Sequence, residues 1–425
     1  MRFRGSVAID LGTVNTLVWV AGRGIVLEEP TAIAIDTAVG KVAAVGEAAD
    51  ALADKEPQDI QVIHPLRDGV IADLDATAAM LHAFLRRTRK FALLRRDALV
   101  CVPSGATPVE RRSIVAALGV RRPRYNVRLI DEPVAAAAGA GFDLSGGAGG
   151  FVVDIGGGTT EVAAVAGWRV VRSQSLRKAG NAMDDAIVQA VRTELGLIIS
   201  QRAARNLKMT LGVTGGAEGY AEAVGLDVAQ RTPRSEYVPG GLVGSALEPT
   251  VSAIAGTVHE MLSEIPAGLA EDVVRGKVRL AGGGALLPGL AGRIETAAGI
   301  GTVLVEDPLR CVIRGAAEIL ERKDAKGQPN GVPGLRSLFA DYSRAGGLSR
   351  AGGYSRAGGY SRAGGYSRAG GRYSSGCLAM ADGSRPAMSQ PTTAAATGMP
   401  TPMSSRFPTG RLDSSDRPSS GLSHE

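Results

Sequence analysis

Cysteine, histidine and aromatic residues are scarce in this chain, and each scarcity closes off a class of function. Cys101, Cys311 and Cys377 stand far apart among 425 residues. An odd, scattered set builds no disulfide framework and fits a reducing compartment. Neither they nor the four histidines fall at metal-ligand spacing. Aromatic residues make up 4% of the chain, too few for a base-stacking surface. No apolar run reaches the ~18 residues of a membrane span. The N-terminal MRFRGSVAID has no apolar h-region, so no secretory leader is expected in it. The formal net charge of +6 is local: residues 341–425 hold ten Arg against five acids, leaving a single net positive charge on the first 340 residues. No nucleic-acid partner is expected of such a core.

What is abundant is glycine, at 58 residues, in a chain long enough for two or more domains. Residues 1 to about 322 alternate strand-like and helix-like segments, the pattern of an α/β fold. VAIDLGTVNTLVWVAG, GIVLEEPTAIAID and DALVCVP read as strands. DLDATAAMLHAFLRRTRK reads as a helix with Asp73 or Asp75 as its N-cap. PVERRSIVAALG is a helix, and VRLIDEPVAAAAGAGF is a strand running into an alanine-rich helix. NAMDDAIVQAVRTEL, SQRAARNLKMTLG and LEPTVSAIAGTVHEMLSEI read as three more helices. From about residue 323 the composition changes: five copies of YSRAGG, one with Leu for Tyr, lead into a Ser/Thr/Pro/Met-rich stretch. That segment has too little apolar surface to offset its ordering entropy, so disorder is expected over 323–425.

Chemistry concentrates in FVVDIGGGTTEV, residues 151–162. An apolar strand ends at Asp154, where a carboxylate could hold the water shell of Mg²⁺. Gly156, Gly157 and Gly158 follow, and free N–H groups in such a turn form an anion-binding concavity. Thr159 and Thr160 could bond a phosphate or a water. A plain glycine turn between two strands is the alternative. A Walker loop would need a Lys here, and a Rossmann fingerprint would need a helix after the glycines. TTEVAAVAGWRVV instead reads as another strand.

The pattern occurs twice. VAIDLGTVNTLV places Asp10 and Gly12 where the later stretch has Asp154 and Gly156, 144 residues on. Two such hairpins can grip a polyphosphate from both sides, with the two aspartates meeting at a metal. A third glycine loop, LAGGGALLPGL at 280–290, has no acid and suits the nucleoside or α-phosphate end, with Gly283, Gly284, Ala285 and Leu286 at its centre.

These loops resemble the actin, heat-shock chaperone and sugar-kinase superfamily. The stretches IDLGTVNTLVWV, PLRDGVIADLDATAAML, PSGATPVERRSI, LIDEPVAAAAGAG, VVDIGGGTTEV and EDPLRCVIRGAAEIL narrow the resemblance to the MreB family, the bacterial actin of rod-shape determination. It runs collinearly from residue 5 to about 320. It implies an actin-like ATPase fold of two duplicated α/β domains flanking a nucleotide cleft, residues 1–145 and 146–322, with smaller subdomains at about 31–63 and 181–245. The implied cofactors are ATP and Mg²⁺. Asp10 and Asp154 would flank the metal through water. Thr13, Val14 and Asn15, with Gly156, Gly157 and Gly158, would wrap the β- and γ-phosphates. Glu132 would position the attacking water, helped by Thr159, and phosphoryl transfer to water needs such positioning above all. A helix-start carboxylate stabilised by the dipole is the alternative for Glu132.

At the nucleoside end the family's acid–Arg–Ile–Lys run becomes Arg205, Asn206, Leu207 and Lys208, and its Gly-Gly-Asp becomes Ala179, Gly180 and Asn181. Arg cannot accept hydrogen bonds from ribose hydroxyls as a carboxylate does. The resemblance further implies slow ATP hydrolysis, homopolymer filaments, cell-wall elongation membrane proteins as partners, and a cytoplasmic, membrane-associated location. Phe91, Leu93 and Leu94, framed by Arg and Lys, suit an interface of anionic headgroups at the inner membrane surface. A small-molecule kinase of the same superfamily, a heat-shock-type chaperone, and a scaffold paralogue with weakened nucleotide binding stand as alternatives.

Overall fold

The computed structural model describes residues 6–55, 57–88, 97–119, 125–213 and 219–322. Phe91, Leu93, Leu94 and the YSRAGG segment lie outside them. In chain order the first half contains β1 (Val7–Leu11), β2 (Asn15–Val20), β3 (Gly24–Pro30), β4 (Ile33–Asp36), β5 (Lys41–Val45), α1 (Glu47–Ala53), β6 (Ile60–Ile63), β7 (Leu66–Arg67), β8 (Val70–Ile71), α2 (Leu74–Thr88), β9 (Asp97–Val102), α3 (Pro108–Gly119), β10 (Asn126–Asp131) and α4 (Glu132–Gly139). The second contains β11 (Gly149–Ile155), β12 (Thr160–Ala166), β13 (Arg169–Leu176), α5 (Gly180–Leu195), β14 (Leu197–Ile198), α6 (Gln201–Leu211), β15 (Tyr220–Asp227), β16 (Pro233–Pro239), α7 (Gly240–Ser263), α8 (Ala267–Gly276), β17 (Val278–Ala281), α9 (Leu290–Ala298), β18 (Thr302–Leu304) and α10 (Cys311–Glu321).

Two five-stranded sheets carry the fold, ordered β10-β9-β1-β2-β3 and β13-β12-β11-β17-β18. Their wiring is the same. Strands β1 and β11 each pair antiparallel with the next strand, which pairs antiparallel with a third. On the other side each is followed by two parallel neighbours reached through helical crossovers. The duplication seen in the sequence is therefore a duplication of sheet topology. Helices cover both faces of each sheet, which is why β1 and β11 are buried along nearly their whole length.

The apolar core follows from these layers. Met80 and Phe84 of α2 and Ile114 of α3 pack on one face of the first sheet. Ile187 of α5, Val251 of α7 and Ile294 of α9 cover one face of the second. Between the sheets lies a third cluster built from the alanines of α4, from Ile313 and Ala316 of α10, and from Leu99 and Val152 of the two sheets. Helix α10 comes late in the chain yet packs against α4, and the Cys311 Sγ–H donates to the Ala136 carbonyl at 3.2 Å. Small residues make this approach possible. A Cβ on Gly139 would lie 1.9 Å from the Cys311 carbonyl oxygen, and one on Gly315 would lie 1.8 Å from that of Ala135.

Two three-stranded sheets, β5-β4-β6 and β14-β15-β16, complete the described residues with the β7–β8 hairpin. Asp73 caps α2, accepting from the Ala76 N–H at 2.8 Å. Helix α7 starts well before the sequence pattern suggests. Gly240, Gly241 and Pro249 weaken local propensity, but Val243, Leu247 and Val251 are buried and their packing decides. Among the described residues no helix is long and apolar enough to cross a membrane.

Candidate functional site

The two acid–glycine hairpins turn in the same way. The Gly12 N–H donates to the Asn15 carbonyl at 3.0 Å, and the Gly156 N–H donates to the Thr159 carbonyl at 2.9 Å. Each turn spans four residues and leaves the middle N–H groups free of the ladder. The turns meet tip to tip. A Cβ on Gly157 would stand 2.1 Å from Val14 Cγ2, and one on Gly158 would stand 2.5 Å from Thr13 Oγ1. Glycine at these positions lets one backbone lie against the other hairpin. The β7–β8 turn touches both: the Gly69 N–H donates to Thr13 Oγ1 at 3.0 Å, and Gly69 sits beside Thr159.

A cavity of about 450 Å³ opens between these turns. That size suits a nucleotide-sized ligand. Asp10, Thr13, Val14, Asn15, Glu132, Asp154, Gly156, Gly157, Gly158 and Thr159 all line it. Gly283, Gly284 and Leu286 of the third glycine loop close one side. Gly282 has φ +78° and backs onto the Asp154 carboxylate, so this loop and β11 are built as one wall.

Electrostatically the cavity is divided. Burial pushes the carboxyls of Asp10 and Asp154 up to about 7, and for Asp154 the nearby Asp10 and Glu161 add to it. Burial also holds Glu132 well above the usual carboxylate range, reinforced by Asp10, Glu161 and Asp154. Glu132 is the first residue of α4, preceded by the extended Asp131 and followed by Pro133. Two buried acids, Glu132 and Glu161, and two half-buried ones, Asp10 and Asp154, crowd this part of the cavity and call for positive charge. Among the described residues no three acids or other ligating side chains are placed to hold an ion directly. A hydrated cation fits the arrangement: the acids would bind its water shell, as expected of Asp10 and Asp154.

The cavity's cations come from α6, beside the start of α5 and the second hairpin. Lys208 Nζ lies 2.6 Å from Asp184 Oδ1 and donates to the Gly180 carbonyl at 2.8 Å. Arg205 Nε donates to Asp184 Oδ2 at 3.4 Å. Burial outweighs the pairing on both members of the Asp184–Lys208 pair, raising the acid and lowering the amine. Helix α5 starts against the second hairpin, with the Asn181 N–H donating to the Gly157 carbonyl at 2.7 Å.

Three expected contacts turn away from the cavity. Helix α6 presents Arg205, Lys208 and Met209, at helical i, i+3, i+4 spacing, so Asn206 faces solvent and Leu207 lies in the core. Ala285 is likewise in the core beneath its loop. Two acids went unread in the sequence. Asp184 stands beside Asp185 among the apolar residues of α5. Glu161 was the one ionisable residue in the buried strand TEVAAVA, and that isolation was its signal.

Comparison with known proteins places this architecture. A model of the MreB/Mbl protein family matches residues 4–328. The cell shape-determining protein MreB of Escherichia coli (strain K12) is 40% identical over 341 residues, covering 77% of this chain and 97% of that protein. The crystal structure of MreB5 of Spiroplasma citri bound to ADP superposes with a TM-score of 0.70 at 31% identity, over 75% of this chain and 96% of that one. The MamK double helical filament matches with a TM-score of 0.62 at 20% identity, over 75% and 99%, a likeness of fold.

Proposed function

Since the chain belongs to the MreB/Mbl protein family and has its actin-like fold, we propose that it is a cell-shape protein that binds Mg-ATP in the cavity, assembles with copies of itself into filaments, and hydrolyses ATP slowly. The observation that carries this reading is the meeting of two acid–glycine turns, closed by the same hydrogen bond, over a cavity lined by acids. Free N–H groups in the turns suit phosphate oxygens, and the carboxylates suit the hydrated cation that must accompany them. The Spiroplasma MreB5 has been crystallised with ADP and with AMPPNP, which supports the same ligand class here.

Held there, Mg²⁺ would supply charge neutralisation for the transferred phosphoryl group. Asp10 and Asp154 would hold it through its water shell. Thr13, Val14 and Asn15, together with Gly156, Gly157 and Gly158, would offer the N–H groups of the two touching turns to the phosphates. Glu132 accepts from the attacking water, and a carboxylate made more basic by burial suits that task. Thr159 orients the same water. Lys208, Arg205 and Asp184 meet the nucleoside end. The domain division at about residue 145, self-assembly, and work at the membrane surface with cell-wall elongation proteins belong to this proposal.

A pelleting assay on the full chain tests it. Sedimentation with Mg-ATP above a critical concentration, and not with Mg-ADP or without nucleotide, is the expected result. Sedimentation indifferent to nucleotide would favour a scaffold whose Arg205–Asp184 pairing has cost it the switch.

A further inference from the structure

Glu161 stands opposite Asp154 in the β11–β12 ladder and is 2% exposed. Its Oε2 accepts from the Ser104 hydroxyl at 2.7 Å and from the Ser104 N–H at 3.3 Å. Its Oε1 is buried with no hydrogen-bond partner and the residue lines the cavity. Like charges directly opposite in an antiparallel pair repel, and an unmet buried carboxylate oxygen is costly. The fold itself does not call for an acid here. In the first hairpin Asp10 pairs with Leu17, the duplicate of Glu161, which is buried and apolar. An acid retained at one copy of a duplicated position, half satisfied and aimed at the cavity, points to a ligand.

The Ser104 end has its own significance. Ser104 follows β9 of the first sheet, whereas Glu161 is the second residue of β12 in the second. Neighbouring Pro103 packs beside Gly69, whose turn touches both glycine hairpins. One carboxylate thus joins a first-sheet loop to the metal side of the cavity.

We propose that Glu161 is a positioning residue for the hydrated divalent cation: Oε1 accepts from a water of its shell, while Ser104 on Oε2 fixes the carboxylate and ties the 103–105 loop to cation occupancy. This rests on the reading of the cavity as a Mg-nucleotide site. The test is equilibrium binding of fluorescent mant-ATP to the full chain across a Mg²⁺ titration, for wild type, Glu161→Gln and Ser104→Ala. Glu161→Gln should raise the Mg²⁺ concentration for half-maximal binding by about tenfold, with little change at saturating Mg²⁺. Ser104→Ala should shift it the same way by about threefold, since the acid remains but loses its anchor. An unchanged Mg²⁺ midpoint in both variants, with wild type binding normally, overturns the role of Glu161. If Glu161→Gln does not fold, an unchanged midpoint in Ser104→Ala has the same force. A wild type that fails to bind mant-ATP at any Mg²⁺ concentration overturns the cavity reading itself.

Discussion

Gly139 and Gly315 lie where α4 and α10 cross between the two large sheets, and replacing either with alanine puts a methyl group into backbone. At Gly139 the new Cβ would sit 1.9 Å from the Cys311 carbonyl oxygen; at Gly315, 1.8 Å from that of Ala135 and 2.6 Å from the Gly139 nitrogen. Carbonyls inside helices cannot swing aside as a side-chain tip can. The helices must therefore separate by at least about 1 Å in a close-packed layer. Overpacking of one carbon costs typically 1–3 kcal/mol, and two rigid helices put this case near the upper end. Alanine returns roughly 1 kcal/mol of helix propensity. The net expectation is about 2 kcal/mol of destabilisation for each substitution. Because both methyl groups open the same gap, the double variant should lose less than the sum. Gly256 in α7 provides the opposite sign: a Cβ there meets nothing within 4 Å, so Gly256→Ala should gain roughly 0.5–1 kcal/mol. Calorimetry of the nucleotide-free full chain reads this directly, with Gly139→Ala and Gly315→Ala melting about 5 °C low and Gly256→Ala slightly high. A Gly139→Ala variant as stable as wild type would refute the close crossing. The same crossing positions Glu132 at the start of α4, so the destabilised variants should also hydrolyse ATP more slowly.

Other expectations follow from the cavity. Gly157→Ala, whose Cβ would press on Val14 Cγ2, should weaken mant-ATP binding, and adding Val14→Ala should restore part of it, a coupling of about 1–2 kcal/mol in a double-mutant cycle. Asp10 and Asp154 titrate near 7 when folded and at an ordinary 3.8 when unfolded, so in the metal-free protein their contribution to stability falls as pH rises from about 4 to about 7 and is flat above. Cation binding must expel those protons, so the Mg²⁺ requirement for nucleotide should relax between pH 6 and pH 8, measurable by titration at fixed mant-ATP. Lys208→Met leaves Asp184 buried without its nearer cation and should cost about 3 kcal/mol or more in urea denaturation. Arg205→Ala removes a longer, partly exposed contact and should cost less than about 1 kcal/mol.

The sequence carried the duplication because its signal is local: an apolar strand, an acid and a glycine turn each occupy a few consecutive residues, and both hairpins form as read. The cap at Asp73 was legible for the same reason. What was hidden depends on contacts distant in sequence. Leu207 and Asn206 were read as part of a continuous ligand run, but helical geometry turns them from Arg205 and Lys208. Asp184 drew no reading from the sequence, and only the fold buries it against Lys208 while Asp185 bonds Gln201. Helix α7 was read short because glycine and proline mask a packed face. The link from Ser104 to Glu161 joins a turn after β9 to a strand of the second sheet 57 residues on, and no local pattern encodes it.

On the reading proposed above, the acid-lined cavity takes a nucleotide together with a divalent cation. Isothermal titration of the full chain with AMPPNP, in Mg²⁺ and in excess EDTA, for wild type and Asp154→Asn, tests it most directly. One-to-one binding is expected in Mg²⁺, lost in EDTA and weakened at least about tenfold by Asp154→Asn. Binding of equal strength in EDTA, unaffected by Asp154→Asn, would contradict it.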